Sequence, residues 1–333
     1  MRGSWMCDGA GRVGPADHGP PPQIDRVQEQ VTTTVILAGG LAVPLKSAVG
    51  AHLDESPARS YGFGNSEKEM FCMTVLNDYR DKYKHLRFER DESGILEVLL
   101  HSDGDSLQLS MPQHRELASA FREIALDRDN RVVLLAGTGE EFIGPRPTAD
   151  SGQIMTEIPD FAVEYSVWEQ DAWTDHREMV NALLDIQVPV VAAVNGPSRR
   201  HCEIPLFSDI IIASETASFE DSGHFQFEDM APGDGSHIWT TMLLGINRAR
   251  AYMLTGDVIT AEEALQWGMV KEVLPQDQVL ERARQVARDI AKKSDTTLRF
   301  TRALIVQPLK KQVLDLLGLG LSYEAFGALG KRA

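Results

Sequence analysis

Two ionisable residues, His201 and Glu203, stand just beyond the turn Asn195-Gly-Pro197, in the run Ser198-Arg-Arg-His-Cys-Glu203. Imidazole has an unperturbed pKa of about 6.5, so it can give or take a proton near neutrality. Glu203, a carboxylate close to Arg199 and Arg200, also suits a structural ion pair with them. Backbone N–H groups at a turn that opens into a helix can also meet a ligand or a developing negative charge. A second pair, His224 and Asp234, occupies a long loop between Phe219 and His237. On residue type alone Asp234, in Gly-Asp-Gly-Ser, suits a helix cap as well as it suits catalysis. His224 suits an exposed loop histidine equally well, and His201 a satisfied histidine at a helix start. His176 and His237 read as exposed or packing residues.

The elements that must position these groups are strands and short helices. Val188-Pro-Val-Val-Ala-Ala-Val194 and Ile210–Ala213 are short apolar runs, the pattern of strands buried on both faces. Upstream, Leu86–Arg90 and Ile95–Leu100 flank the turn Asp91-Glu-Ser-Gly94 and predict a hairpin. Met111 to Asp127 predicts an amphipathic helix and Arg131–Ala136 a buried strand. Phe142 to Phe161 carries Pro145, Pro147 and Pro159 and predicts an irregular pocket wall or lid. Trp168 to Ile186 predicts a helix, and Ala217-Ser-Phe219 a short strand. Beyond the long loop, helices are expected at His237–Leu244, Ala249–Leu254 and Ala261–Trp267, then a strand at Val270–Leu274. Three separate helices should follow, at Asp277–Lys293, Thr296–Val306 and Lys311–Gly327. The alternation predicts an α/β core with a helical C-terminal part. Residues 1–72 lack sustained periodicity and open rich in Gly and Pro, so they read as a poorly ordered extension. The expected divisions are therefore 1–72, a core over 73–274 and a helical region over 275–333, with the functional protein beginning near Met73.

Bulk properties narrow the partners. The 333 residues carry a formal net charge of −16, which argues against nucleic acid or an anionic membrane. Cys7, Cys72 and Cys202 form neither a metal spacing nor a disulfide framework, which fits a reducing, cytoplasmic compartment. The apolar stretch Val35–Val49 is too short to span a bilayer and carries Pro44 and Lys46.

Several motifs taken together resemble the crotonase (enoyl-CoA hydratase) superfamily from about Tyr83 to the C-terminus. They are Pro189-Val-Val-Ala-Ala-Val-Asn-Gly196, Cys202-Glu203, Ser208-Asp-Ile-Ile-Ile-Ala213, Ala217-Ser-Phe219, Leu254-Thr-Gly256 and Trp267-Gly-Met-Val270. The resemblance implies a spiral of β-β-α turns and a C-terminal helical region used for trimerisation, hence a homotrimer or a dimer of trimers. Coenzyme A members usually carry glycines where this chain has Arg199-Arg200-His201. They also commonly carry a second glutamate where this chain has Gly223-His224.

Those departures resemble one branch, the 6-oxocamphor hydrolase group of β-diketone hydrolases (retro-Claisenases). The matching residues are His201-x-Glu-Ile-Pro205, Gly223-His-Phe225, Pro232-Gly-Asp-Gly235 and Glu324-Ala325. This implies a His224–Asp234 catalytic dyad, completed by His201 and Glu324. A substrate-contacting tryptophan of that branch falls near Leu109, and Phe142 and Gly144 are the other expected substrate contacts. No cofactor and no metal is expected. The implied reaction is hydrolytic cleavage of a C–C bond in a non-enolisable, bicyclic β-diketone. His224 would activate water, His201 would meet the enolate, and Glu324 would hold a water or shuttle a proton. Three rival readings are weaker. A coenzyme A-dependent hydratase or isomerase using Glu203 lacks the glycines and the second glutamate. A non-catalytic scaffold would not need the His/Asp/Glu set. A metal site from His201, His224, Asp234 and Glu324 lacks short ligand spacing.

Overall fold

The computed structural model describes residues 74–144, 168–225 and 230–330. The expected N-terminal extension and residues 145–161 of the expected lid lie outside the described residues. The chain begins with a short helix α1 (Leu76–Tyr79) and the hairpin β1 (Leu86–Arg90) and β2 (Ile95–Leu100). After β3 (Leu107–Gln108), helix α2 (Met111–Leu126) leads to β4 (Val132–Gly137) and β5 (Ile143–Gly144). A π-helical segment, Trp168–His176, runs into α3 (Arg177–Asp185). The centre follows: β6 (Val190–Val194), α4 (Glu203–Leu206), β7 (Ile210–Ser214) and β8 (Ser218–Phe219). The remainder is α5 (Ser236–Leu244), α6 (Ile246–Thr255), β9 (Ile259–Thr260), α7 (Ala261–Gln266), β10 (Glu272–Leu274), α8 (Gln276–Ala291) and α9 (Asp295–Gly330).

The main sheet has the order β1-β2-β4-β6-β7-β10; only β1 runs antiparallel to its neighbour. Its central strands are apolar on both faces because both faces are covered. Val132, Leu134, Ala136, Val191, Ala193 and Ile212 pack under α8, against Val279, Ala283 and Ala287. Val133, Leu135, Val190, Ala192 and Val194 point the other way, into the larger core with α2 and α3. Smaller pairings, β3 with β5 and β8 with β9, are joined through Ser198, which bridges Ile143 and Phe219.

Two expectations need correction. The piece beginning at Phe142 is not irregular at its start: Ile143–Gly144 forms β5, paired with Leu107–Gln108. The two expected C-terminal helices are one, α9, which continues through Pro308. An interior proline costs a helix roughly 3 kcal/mol, and tertiary anchoring offsets it. Arg302, only 1% exposed, donates from Nε to Asp209 Oδ2 at 2.7 Å. Its other nitrogens reach the carbonyls of Leu183, Leu184 and Ile186, at the end of α3. Val306, Val313, Leu317 and Leu321 continue the buried stripe on both sides of the proline.

Candidate active site

The turn after β6 is held between two small strands. Arg199 N–H donates to the Ile143 carbonyl (2.9 Å), and Ser198 exchanges backbone bonds with Ser218 and Glu220. Arg199 does not pair with Glu203. Its guanidinium joins Glu141 and Glu220, which ties β5 to β8 across the turn. The chain then enters the left-handed region at His201 (φ 50°), a conformation that costs a non-glycine residue about 1–3 kcal/mol. That backbone aims the ring inward, onto Glu203 of the four-residue helix α4.

Around His201 the chain gathers seven ionisable groups from five segments. His201 Nδ1 lies 2.8 Å from Glu203 Oε1 and 3.5 Å from Asp234 Oδ2. Its Nε2 faces His114 Nε2, from the first turn of α2, at 3.1 Å. His176, the last residue of the π-helical segment, donates from Nε2 to the Asp234 carbonyl at 2.7 Å. His224 places Nδ1 2.5 Å from Asp221 Oδ1. On the other side of the same ring, Nε2 is 3.6 Å from Asp234 Oδ2 and 3.5 Å from Glu324 Oε1.

The expected four residues, His201, His224, Asp234 and Glu324, therefore do converge. His224 and Asp234, the expected dyad, face each other at 3.6 Å, and the carboxylate hydrogen-bonded to His224 is a further one, Asp221. Asp234 stands between His201 and His224. Its other oxygen, Oδ1, accepts from Ser236 N–H (3.3 Å) and Ser236 Oγ (3.0 Å) at the start of α5. Asp234 thus serves the helix start and the site with different oxygens. Glu324 is buried rather than solvated, and its Oε2 has no hydrogen-bond partner among the described residues. His176, expected at the surface or in packing, is 2% exposed and part of the cluster.

Three members were missed from sequence: His114, His176 and Asp221. The signal was present. His114 lies three and four residues before Leu117 and Ala118, and His176 three and four before Met179 and Val180, all four buried. Each histidine therefore continues the apolar stripe of its helix. Asp221 precedes His224 by three residues, within side-chain reach in a turn.

Burial without compensating charge governs one half of the cluster. It lowers His201 well below its ordinary value; Asp234 opposes this and His176 reinforces it. It lowers His114 likewise, with help from His201 and His176. Glu203 is raised well above the usual carboxylate range, first by burial and then by the Asp234 charge. In the other half burial loses to charge. It pulls His224 down, but Asp221, Asp234 and Glu324 together raise it well above 6.5. Asp234 is held below its ordinary value despite burial, chiefly by His224 and His201. The site thus pairs a neutral His201 with a His224 that readily carries a proton, the separation that acid–base chemistry uses.

The proton positions around His201 follow from Glu203. Where Glu203 carries its proton, it donates to His201 Nδ1, and the neutral ring then turns an Nε2–H toward His114 Nε2, 3.1 Å away. An oxygen of suitable geometry can replace His114 as its acceptor.

The expected substrate contacts Leu109, Phe142 and Gly144 lie at and beside the paired strands β3 and β5. Leu109 precedes α2 and its N–H donates to the Gly144 carbonyl at 3.1 Å. Phe142 is fully buried in the larger core, its N–H on the Pro197 carbonyl at 2.9 Å.

A mixed α/β core with a buried histidine–carboxylate cluster under its long C-terminal helix defines an enzyme of the crotonase type. The enoyl-CoA hydratase/isomerase family model matches residues 90–318, and the chain belongs to that family. It is 26% identical over 226 residues to the probable enoyl-CoA hydratase 1, peroxisomal, of Arabidopsis thaliana, covering 68% of this chain and 80% of that one. It is also 26% identical over 235 residues to the 1,2-epoxyphenylacetyl-CoA isomerase of Escherichia coli, covering 70% and 85%. Among solved structures, it is 39% identical to a beta-diketone hydrolase from the cyanobacterium Anabaena sp. PCC 7120, bound to (S)-3-oxocyclohexyl acetic acid. That match has a TM-score of 0.70 and covers 77% of this chain and 98% of the other.

Proposed function

We propose that this protein is a β-diketone hydrolase that cleaves a C–C bond of a non-enolisable, bicyclic 1,3-diketone without a cofactor. The observation that carries the reading is His224, whose ring is oriented by Asp221 on one nitrogen and faces Asp234 and Glu324 with the other. The likeness to a β-diketone hydrolase supports it, as does the molecule bound there. A ring ketone with a carboxymethyl arm is what hydrolysis of a bridged 1,3-diketone leaves.

Water is a poor nucleophile near neutrality, so a base must take its proton as it attacks the carbonyl carbon. Unprotonated His224 Nε2 is that base. Asp221 fixes the tautomer by accepting from Nδ1–H, and the imidazolium that forms is stabilised by Asp221, Asp234 and Glu324. The tetrahedral adduct collapses with the electrons of the C–C bond passing into an enolate on the second carbonyl. His201 Nε2–H donates to that oxygen, an interaction worth about 3 kcal/mol in a transition state. The proton taken by His224 returns to the enolate carbon, directly or through Glu324. The product is a keto acid, and water is the only co-reactant. Leu109, Phe142 and Gly144 are proposed to shape the substrate pocket.

The coenzyme A-dependent alternative assigns the acid–base work to Glu203. Its support is the set of hydratase relatives. Against it, Glu203 is 0% exposed and is committed to His201. Disappearance of a bridged bicyclic 1,3-diketone, followed with and without EDTA, tests the proposal. Turnover that survives chelation and needs no thioester is expected. Turnover of an enoyl-CoA with none of the diketone would replace this reading with the hydratase.

A further inference from the structure

Hydrolysis as proposed uses His201 but assigns no chemistry to His176 and only an acceptor role to His114. Each of the three imidazoles offers one ring nitrogen to a group whose ligand atoms all lie within 4.8 Å of one another. The tightest pair, His114 Nε2 and His201 Nε2, is 3.1 Å apart. A tetrahedral zinc site with Zn–N of about 2.0–2.1 Å holds two nitrogens roughly 3.3 Å apart, so this pair already has the required span. A metal ion would displace the His201 Nε2 proton to solvent, and the proton of Glu203 would pass to His201 Nδ1, leaving Glu203 a carboxylate hydrogen-bonded to the ligating ring. The three ligands come from α2, the π-helical segment and the turn after β6. Carboxylates back them: Glu203 Oε1 is 2.8 Å from His201 Nδ1 and Asp234 Oδ2 is 3.5 Å away. A carboxylate on the far nitrogen of a ligating histidine orients the ring and raises its basicity. Those two acids with His201 form a second group within 4.8 Å, so negative charge is available to balance a dication. This set differs from the one considered from sequence, since it includes neither His224 nor Glu324.

We propose that His114, His176 and His201 form a binding site for a divalent transition-metal ion of the zinc type, and that occupancy inhibits the enzyme. Imidazole ligands favour zinc, cobalt, nickel and copper over magnesium and calcium. Inhibition rests on the hydrolase reading above, because the ion takes the His201 nitrogen that would otherwise donate to the enolate. Binding itself does not rest on it.

The full chain, stripped with chelator and dialysed, is titrated with Co²⁺ while the visible d–d absorption is recorded. Zn²⁺ content after dialysis is measured in parallel, and diketone hydrolysis is followed at each occupancy. One equivalent of metal, tetrahedral cobalt bands and loss of turnover in proportion to occupancy are expected. His114→Gln and His176→Ala should each weaken binding by at least about tenfold. His114→Gln keeps a hydrogen-bonding side chain, so its circular dichroism separates loss of a ligand from loss of fold. No metal uptake by the wild type, or equal uptake by both folded variants, overturns the site. Metal that binds but leaves turnover unchanged, or raises it, overturns the inhibition. Histidine-dependent cobalt binding in a protein with no diketone turnover would support the site while the hydrolase reading fails.

Discussion

At the scale of single residues, His224 has to lose a proton before it can act. Three carboxylates raise its pKa well above 6.5, against the pull of burial. The unprotonated base therefore becomes more abundant as pH climbs through that raised value. kcat/KM for diketone hydrolysis should rise across the same range. Asp221→Asn removes the carboxylate at 2.5 Å, so its pH–rate limb should move to lower pH while the maximal rate falls. A limb unmoved by that substitution would take Asp221 out of the pair. Linkage works in the opposite sense. The stability His224 contributes is fully present below its unfolded pKa of about 6.5 and is lost as pH rises through the folded value. Stability and activity should trade against each other on the alkaline side. His201, His224, Asp234 and Glu324 were legible because their local motifs matched a family pattern. Asp221, His114 and His176 were not named there. An acid three residues before a histidine, or a histidine on an apolar stripe, is ordinary until the fold shows what it faces.

Among the elements, the approach of α9 to the loop before α5 decides where Glu324 sits. A β-carbon on Gly233 would overlap the Gly320 carbonyl and come within 2.9 Å of the Glu324 β-carbon. Gly233→Ala should push α9 outward and lower kcat by at least about tenfold, with secondary structure retained. Circular dichroism and steady-state kinetics on that variant check it; unchanged kinetics would mean the contact does not position Glu324. Farther along the same helix, Arg302 and Asp209 form a buried pair at 2.7 Å. Arg302→Met leaves the Asp209 carboxylate without its cation and should destabilise the protein by about 3–5 kcal/mol, read from urea unfolding. The main strands were legible as apolar runs because each is covered on both faces. The two-residue strands β3 and β5 were not, since so short a pairing leaves no periodicity. The continuity of α9 was hidden for a different reason: Pro308 signals a stop locally, while the bonds of Arg302 to α3 are long-range.

For the molecule as a whole, α9 carries large apolar side chains that the other described residues leave exposed. Phe300, Leu304, Leu314, Tyr323 and Phe326 are each more than half exposed, Leu314 at 83%. We propose that these residues pack between copies in a trimer, or a dimer of trimers, as the family resemblance implies. Sedimentation equilibrium should give a mass that is a multiple of three chains, and Leu304→Glu with Leu314→Glu should lower it. A monomeric wild type would contradict this. Among the described residues no helix is long and apolar enough to cross a membrane.

The central claim is that water, activated by His224, opens a carbon–carbon bond. Its most direct test is hydrolysis of a bridged bicyclic 1,3-diketone in isotopically labelled water, comparing the wild type with His224→Ala and Asp234→Asn. The account predicts one labelled oxygen in the new carboxylate of a keto-acid product. It also predicts that turnover falls by at least about 100-fold in both folded variants. Near-normal rates in both variants, or a product without the label, would contradict it.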